Sequence, residues 1–255
     1  MAYMFDLHLH SRMSHDCTSS FQALISMCRR RKLSGIALTD HDTMDGVEQL
    51  RDIWPHEKLQ LIAGCERTLD DGSHIIGLFL RRPLVATSLR ETVREIREQE
   101  GLFYLPHPFR VYSGLLRETS GYDFEERSWA LAEADIVEVY NPKCTILENR
   151  QALELLAQHP KAFAASSDAH YPFQIGYAYT LIERPLSPKA FSPSAAFAPL
   201  AGVDLEDEAM ASHSGESKFR SGIRKALGRV GLLEPAKALR NQVRCYLRPN
   251  LQRYR

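Results

Sequence analysis

The chain has 255 residues, 44% hydrophobic and 25% charged, with a net charge of zero, which are ordinary values for a globular protein with one large core. No stretch approaches the roughly 20 consecutive apolar residues of a bilayer span, and no basic patch followed by an apolar run opens the chain, so we expect a cytoplasmic protein. The five scattered cysteines include no Cys-x-x-Cys pair and therefore predict neither a disulfide framework nor a thiolate zinc site.

Short apolar runs alternate with amphipathic segments from residue 3 to about residue 183. The amphipathic segments follow helical spacing and predict helices near 20–32, 44–52, 88–100, 124–133 and 145–158. The apolar runs predict strands near 4–9, 35–39, 59–65, 74–80, 102–106, 135–140 and 162–166, with a candidate eighth strand at 177–183. Strands that alternate with helices are typical of a parallel α/β sheet, and seven or eight repeats favour a TIM-like barrel over an open sheet.

Past the last predicted strand the composition changes, and the zero net charge proves to be a cancellation. Residues 185–202 contain four prolines and few charges, which predicts a linker or an extended wrap over 185–213. Residues 214–255 hold eleven Lys and Arg against two Glu, a charge of +9, so residues 1–213 carry −9. Helical spacing of apolar residues predicts that 214–255 is a basic amphipathic helical extension, which leaves 1–184 as the barrel domain.

Histidines and carboxylates cluster where the predicted strands end. His8 and His10 alternate along the first strand, so they project from the same face. Because the carboxyl ends of barrel strands converge at one mouth, side chains that follow several strands meet there. So many imidazoles and carboxylates at one rim are typical of a site for bound cations. The residues that follow later strands in this way are His41, Glu66, His107, Asp168 and His170.

These residues belong to a series of motifs that resembles the PHP (polymerase and histidinol phosphatase) superfamily. The motifs occur in order over about residues 5–182, and they are His8-Leu9-His10, Ser14-His15-Asp16, Thr39-Asp40-His41-Asp42, Gly64-Cys65-Glu66, His107-Pro108 and Ser167-Asp168-Ala169-His170. The resemblance implies a distorted (β/α)7 TIM-like barrel that holds up to three divalent metal ions. It also implies an enzyme of the phosphoesterase class, a hydrolase that acts on phosphoric ester bonds.

The resemblance further implies three sets of metal ligands. In the order of the metals, the sets are His8, His10, Glu66 and Asp168; Glu66, His74 and His107; and Asp16, His41 and His170. Many relatives place an Asp directly after the Ser of the second motif, where this chain has His15, so His15 is an alternative to Asp16 as a ligand. Imidazole and carboxylate ligands without thiolates suit Zn, Mn or Fe. The expected cofactors are therefore two or three divalent ions of these metals.

The implied reaction is attack of a metal-bound hydroxide on a phosphoester at a di- or trinuclear site, with Glu66 and Asp168 as catalytic residues. Arg110 is a third catalytic candidate, because its guanidinium is placed to hold a phosphate through a bidentate fork. The supporting candidates for substrate binding are Arg12 and Asn141. Asp40 and Asp42, which flank His41, are candidates for orienting that imidazole or a metal-bound water.

The expected substrate is a small phosphomonoester or a nucleotide, whose identity depends on loops such as 111–123 and 171–176. One alternative is exonuclease-type trimming of short nucleic acids at a 3' or 5' end, with the +9 extension contacting phosphates. Another alternative is a phosphoesterase that the extension docks to a membrane surface or a partner. The extension is also suited to packing on the acidic exterior of the barrel.

Overall fold

The computed structural model describes residues 3–159, 161–182 and 200–201. Its strands are β1 Tyr3–Leu9, β2 Gly35–Leu38, β3 Gln60–Thr68, β4 His74–Leu78, β5 Leu102–Leu105, β6 Ile136–Tyr140, β7 Ala162–Ala165, β8 Thr180–Ile182 and β9 Leu200–Ala201. Its helices are α1 Phe21–Arg31, α2 Asp45–Arg51, α3 Leu89–Glu98, α4 Phe124–Glu133 and α5 Ile146–Gln158, with a short 3-10 helix at Pro172–Gln174.

All strands and helices predicted for the barrel domain are confirmed, with ends that differ by at most about three residues. The predicted linker lies outside the described residues, except for β9, which pairs antiparallel with β8. The predicted basic extension at 214–255 lies outside them as well. Within the described ranges no helix is both long and apolar enough to cross a membrane. The cysteines there are free thiols, namely Cys17, Cys28, Cys65 and Cys144.

The strands form one sheet in the order β7-β6-β5-β4-β3-β2-β1-β8-β9. The expectation of a parallel sheet is correct for β1 to β3 and for β5 to β7. It is wrong for β4, which runs antiparallel to both of its neighbours, and for β8, which runs antiparallel to β1. The segment 69–73 between β3 and β4 is too short for a crossover helix, so β4 must return as a hairpin strand.

The sheet curls into a nearly closed barrel of eight strands. The segment after β7 meets β1, where the Asp168 N–H donates to the His8 carbonyl at 2.8 Å and the His10 N–H donates to the Ala169 carbonyl at 3.0 Å. Asp6 on β1 strengthens this junction, because its carboxylate accepts hydrogen bonds from the Ser167 N–H and hydroxyl. The closure therefore brings the first and last predicted metal-binding motifs side by side.

An apolar layer lies beneath the carboxyl ends of the strands. It is built from alternate residues of neighbouring strands, including Phe5, Leu7, Ile62, Ile76, Tyr104, Ile136 and Ala164. Because residues two apart on a strand share a face, the same face carries Glu66 on β3, His74 on β4 and Glu138 on β6. The polar site therefore rests on a closely packed apolar floor, while two larger apolar clusters pack the helices against the outside of the sheet.

Candidate metal centre

Glu66 lies at the centre of a ring of five imidazoles. Its side chain is 1% exposed. Oε1 lies 2.9 Å from His74 Nδ1 and 3.1 Å from His107 Nε2. Oε2 lies 3.1 Å from His8 Nε2, 3.2 Å from His10 Nε2 and 3.3 Å from His41 Nδ1. A single carboxylate that faces imidazoles with both oxygens is suited to bridging two cations.

Asp168 supplies a second carboxylate, which lies beside this ring of imidazoles. Its Oδ1 lies 3.3 Å from His10 Nε2 and 3.6 Å from His8 Nε2. Its Oδ2 accepts hydrogen bonds from Arg110 Nη1 at 3.1 Å and from Asn141 Nδ2 at 3.3 Å. The Asp168 backbone has φ +49°, a left-handed conformation that is unfavourable for a non-glycine residue. The hydrogen bond to β1 holds it there and aims the carboxylate at the imidazoles.

Asp16, His41 and His170 meet at the outer edge of the cluster. Asp16 Oδ2 lies 2.8 Å from His170 Nε2 and 3.7 Å from His41 Nε2. His15 is exposed, and its ring centroid lies 5.5 Å from that of His41. The structure therefore places the carboxylate of Asp16 between the two imidazoles, and His15 lies beside them.

The nine residues implied as metal ligands thus form one continuous cluster. Four overlapping groups have ligand atoms within 4.8 Å of one another: His8/His10/Glu66, His8/His107/Asp168, His41/Glu66/His74 and His10/His41/His170. Three buried ring nitrogens have no hydrogen-bond partner among the described residues, namely His10 Nε2, His41 Nδ1 and His107 Nδ1. Buried polar atoms are normally paired, and His10 Nε2 and His41 Nδ1 lie within 3.3 Å of carboxylate oxygens, so these free nitrogens fit a centre for divalent metal ions.

The electrostatics of the cluster also suit metal binding. Burial alone would raise the pKa of Glu66 and of Asp168, but the neighbouring imidazoles, with His8 foremost, hold both pKa values well below the usual range. Burial would lower the pKa of His8, but Glu66 and the other carboxylates raise it well above its usual value. Burial lowers the pKa of His41 to about 4, which keeps that ring neutral. A divalent ion would replace the proton of His8 as the charge that balances the carboxylates.

Asp40 supports the cluster from behind, whereas Asp42 does not. Asp40 accepts hydrogen bonds from the N–H and the hydroxyl of Ser11 and from the hydroxyl of Ser14. The Ser14 hydroxyl in turn accepts the His41 N–H at 2.9 Å, so Asp40 acts on His41 through Ser14. Asp42 is turned away, because its Oδ1 accepts hydrogen bonds from Arg67 Nη1 at 2.8 Å and from a backbone N–H. The expectation that Asp42 orients His41 is not met by this geometry.

A cavity of about 370 Å³ opens onto the cluster. Two cations line its wall. Arg110 is 32% exposed and is paired with Asp168, and Lys143 Nζ lies 3.6 Å from Asp168 Oδ1 and contacts His170 Nδ1. Tyr112 lies at the cavity edge and is 84% exposed. The cavity therefore joins metal ligands to positive charge, which is an arrangement that attracts anions.

The other two candidate substrate-binding residues lie elsewhere. Arg12 is exposed and does not line the cavity; its guanidinium lies 4.8 Å from the centroid of the Phe21 ring. Asn141 is buried, and its amide nitrogen donates to Glu138 at 3.0 Å as well as to Asp168. Asn141 therefore holds a carboxylate of the cluster from behind and does not face the cavity.

Lys143 and Glu138 belong to the site but were not singled out from the sequence. Lys143 lies three residues after the end of β6, much as His107 lies two residues after the end of β5. Glu138 is a charged residue inside an otherwise apolar strand, and the period of two places it on the inward face with Ile136. Both signals were present in the sequence.

The fold and site together define an α/β barrel of the metal-binding class, with imidazoles and carboxylates at the carboxyl ends of its strands. The profile of the PHP domain matches residues 6–177. The chain therefore belongs to the PHP family.

Two relatives illustrate the range of sequence similarity. An uncharacterized protein of Methanocaldococcus jannaschii is 32% identical over 195 residues, which cover 73% of this chain and 76% of that protein. A phosphoribosyl 1,2-cyclic phosphate 1,2-diphosphodiesterase of Eggerthella lenta is 32% identical over 78 residues, which cover 29% of each chain.

Solved structures share the fold at lower identity. A two-domain protein from Bacteroides vulgatus, described as containing a predicted PHP-like metal-dependent phosphoesterase, aligns over 71% of this chain, with a TM-score of 0.60 and 20% identity, and the match spans 58% of that protein. An amidohydrolase from Chromobacterium violaceum aligns over 68% of this chain and 89% of its own, with a TM-score of 0.52 and 16% identity. At these identities the likeness concerns the fold.

Proposed function

We propose that this protein is a hydrolase that removes phosphate from a small phosphomonoester, such as a sugar phosphate or a nucleotide. The observation that carries the proposal is the position of Glu66, which contacts five imidazoles directly beneath a cavity lined by the cations Arg110 and Lys143. Metal ligands and anion-binding groups in one cavity are what phosphate ester hydrolysis requires.

The donor set supports two or three divalent ions of Zn, Mn or Fe, because it combines imidazoles and carboxylates without a thiolate. The ligand groups overlap at His8, His10, His41 and Glu66, so neighbouring ions would share ligands. When bound, such ions supply an activated water and positive charge for the phosphoryl oxygens.

The residues of the chain itself hold and orient the substrate phosphate. Arg110 uses one nitrogen to bind Asp168, and a guanidinium carries five N–H donors, so further donors are available to a phosphate in the cavity. Lys143 adds a second positive charge on the same wall. Asn141 and Arg110 both bind Asp168 Oδ2, which fixes that carboxylate while its Oδ1 faces the imidazoles.

The size of the cavity supports a small substrate. About 370 Å³ lies at the lower end of the volumes of roughly 300–1,000 Å³ that are typical of small-molecule sites. The exposed ring of Tyr112 at the edge offers a flat apolar face to the remainder of the substrate. The nuclease and docking alternatives depend instead on residues 214–255, which lie outside the described ranges.

The test is release of inorganic phosphate from a panel of sugar phosphates and nucleotides, with protein loaded with Mn, Zn or Fe. We expect activity with at least one metal and substrate, and loss of that activity in His10→Ala and Asp168→Ala. The matched control is His56→Ala, because His56 lies outside the cluster and contacts the Arg51 carbonyl. A short oligonucleotide is included, and cleavage of it without any phosphomonoester activity would favour the nuclease. Inactivity with every metal and substrate would overturn the proposal.

A further inference from the structure

Glu138 is a buried carboxylate behind the cluster that no implied ligand set contains. Its side chain is fully buried, and four donors converge on its two oxygens. Oε1 lies 2.8 Å from the Tyr104 hydroxyl and 3.3 Å from His8 Nδ1. Oε2 lies 2.8 Å from the His107 backbone N–H and 3.0 Å from Asn141 Nδ2.

We propose that Glu138 is a positioning residue that sets His8 and His107 for metal binding. In this role it holds His8 as the Nδ1–H tautomer and anchors the backbone of His107. The inference rests on the proposed metal-dependent function, but it concerns how the protein prepares its ligands and does not depend on the substrate.

The tautomer follows from the chemistry of the two groups. A carboxylate only accepts hydrogen bonds, and a neutral imidazole has one donor nitrogen and one acceptor nitrogen. If the Glu138 carboxylate accepts a hydrogen bond from the Nδ1–H of neutral His8, Nε2 is left with a free lone pair. That Nε2 is the atom 3.1 Å from Glu66 and 3.6 Å from Asp168, at the centre of the cluster. The opposite tautomer would place two acceptors against each other at Glu138.

The His107 backbone gives a second reason for the role. His107 has φ +25°, which is outside the regions that non-glycine residues favour, so its conformation needs support. Glu138 Oε2 supplies that support through the His107 N–H, and His107 Nε2 then lies 3.1 Å from Glu66 Oε1. Glu138 therefore acts on both oxygens of Glu66, through His8 on one side and His107 on the other.

The variant that isolates this role is Glu138→Gln. The glutamine has nearly the same volume, but its NH2 group would face donors and could not accept their hydrogen bonds. Residues that orient metal ligands typically contribute 10- to 100-fold to metal affinity. We therefore expect Glu138→Gln to weaken zinc or manganese binding by about 10- to 100-fold.

Asp135 provides a matched control near the opposite end of the same strand. It directly precedes β6, and its Oδ2 accepts hydrogen bonds from the Phe103 N–H and from Arg97 Nη1. Asp135→Asn therefore also removes a hydrogen-bonded carboxylate that joins neighbouring elements, but at a distance from the cluster. We expect Asp135→Asn to lower the melting temperature of the metal-free protein. Its metal affinity should stay within about twofold of the wild-type value, which is well below the change expected for Glu138→Gln.

The experiment measures Zn²⁺ affinity by chelator competition for the full chain and both variants, with the melting temperature of each metal-free protein. Weakened binding in Glu138→Gln alone supports the proposal. Unchanged binding in Glu138→Gln, or equal weakening in Asp135→Asn, would overturn it. Neither readout requires phosphate release, so a failure here is distinct from an inactive enzyme.

A second measurement keeps the proposal open to refutation if Glu138→Gln does not fold. The ¹⁵N resonances of His8 in the zinc-loaded wild-type protein report directly which ring nitrogen carries the proton. We expect a protonated Nδ1 and a metal-bound Nε2. A proton on Nε2, or metal bound through Nδ1, would overturn the assignment whatever the variants do.

Discussion

His74 Nδ1 lies 2.9 Å from Glu66 Oε1 because the strands that carry the two residues run antiparallel. In a parallel arrangement the first residue of β4 would lie at the end of the barrel away from the site. The reversal of β4 instead pairs His74 with Thr68 near the end of β3, where Glu66 also lies. A residue at the start of a strand thereby joins the ligands that follow the other strands.

This relationship predicts that His74 contributes to one metal position and not to the whole centre. His74→Ala should leave the contacts of Glu66 Oε2 with His8, His10 and His41 intact. We expect the metal content per chain, measured by plasma mass spectrometry, to fall by about one ion while the remaining metal stays bound. Unchanged metal content, or complete loss of metal, would contradict this role for His74.

Removal of the metals should lower the stability of the barrel domain. A ligand that binds only the folded state at 100 times its dissociation constant stabilises that state by about 2.7 kcal/mol. For a domain of this size that corresponds to about 5–10 °C in melting temperature. We expect chelation to produce a decrease of this order, measured by differential scanning fluorimetry, and readdition of Mn or Zn to reverse it. In Asp168→Ala the shift should be much smaller, and an equal shift would place the metals elsewhere.

Much of the fold and most of the cluster can be predicted from local patterns in the sequence. The period-two alternation of His8 and His10, and the positions of Glu66 and Asp168 relative to apolar runs, depend on residues close in sequence. The direction of β4 was missed although the short segment 69–73 indicates a hairpin, because alternation alone does not give strand direction.

The contacts of individual charged side chains are harder to predict from the sequence than the helices and strands. Arg12 lies against Phe21, and Asp42 turns to Arg67, because each finds a partner that only the folded chain places beside it. A motif shows that such a residue is near the site, but the direction of its side chain depends on contacts from other segments.

Arg110 should contribute to substrate binding through the geometry of its guanidinium. Hydrogen bonds to charged groups contribute about 1.5–3 kcal/mol, so Arg110→Met should lower kcat/KM by about 10- to 100-fold. Arg110→Lys should restore little of this loss, because an ammonium cannot bind two oxygens through a planar fork. Steady-state kinetics with the preferred substrate test this expectation. Full activity in Arg110→Lys would show that only the positive charge matters.

Asp6 should give the stability of the metal-free protein a distinctive pH dependence. Burial raises the pKa of Asp6 from 3.8 to about 6, although hydrogen bonds from Ser167 and Gly176 act in the opposite direction. The folded state therefore binds the Asp6 proton more tightly than the unfolded state does, and stability falls as the pH rises from about 4 to about 6. The shift corresponds to a loss of about 3 kcal/mol, which is complete above the folded-state pKa.

The Asp6→Asn variant isolates this contribution because an amide does not titrate. In urea unfolding of the metal-free proteins, the free energy of unfolding of the wild type relative to Asp6→Asn should decrease between pH 4 and pH 6 and then level off. The comparison cancels the titration of groups that both proteins share. Parallel pH profiles would show that the Ser167 and Gly176 hydrogen bonds balance the cost of burying the Asp6 charge. A relative stability of the wild type that increases over this range would show that they outweigh it.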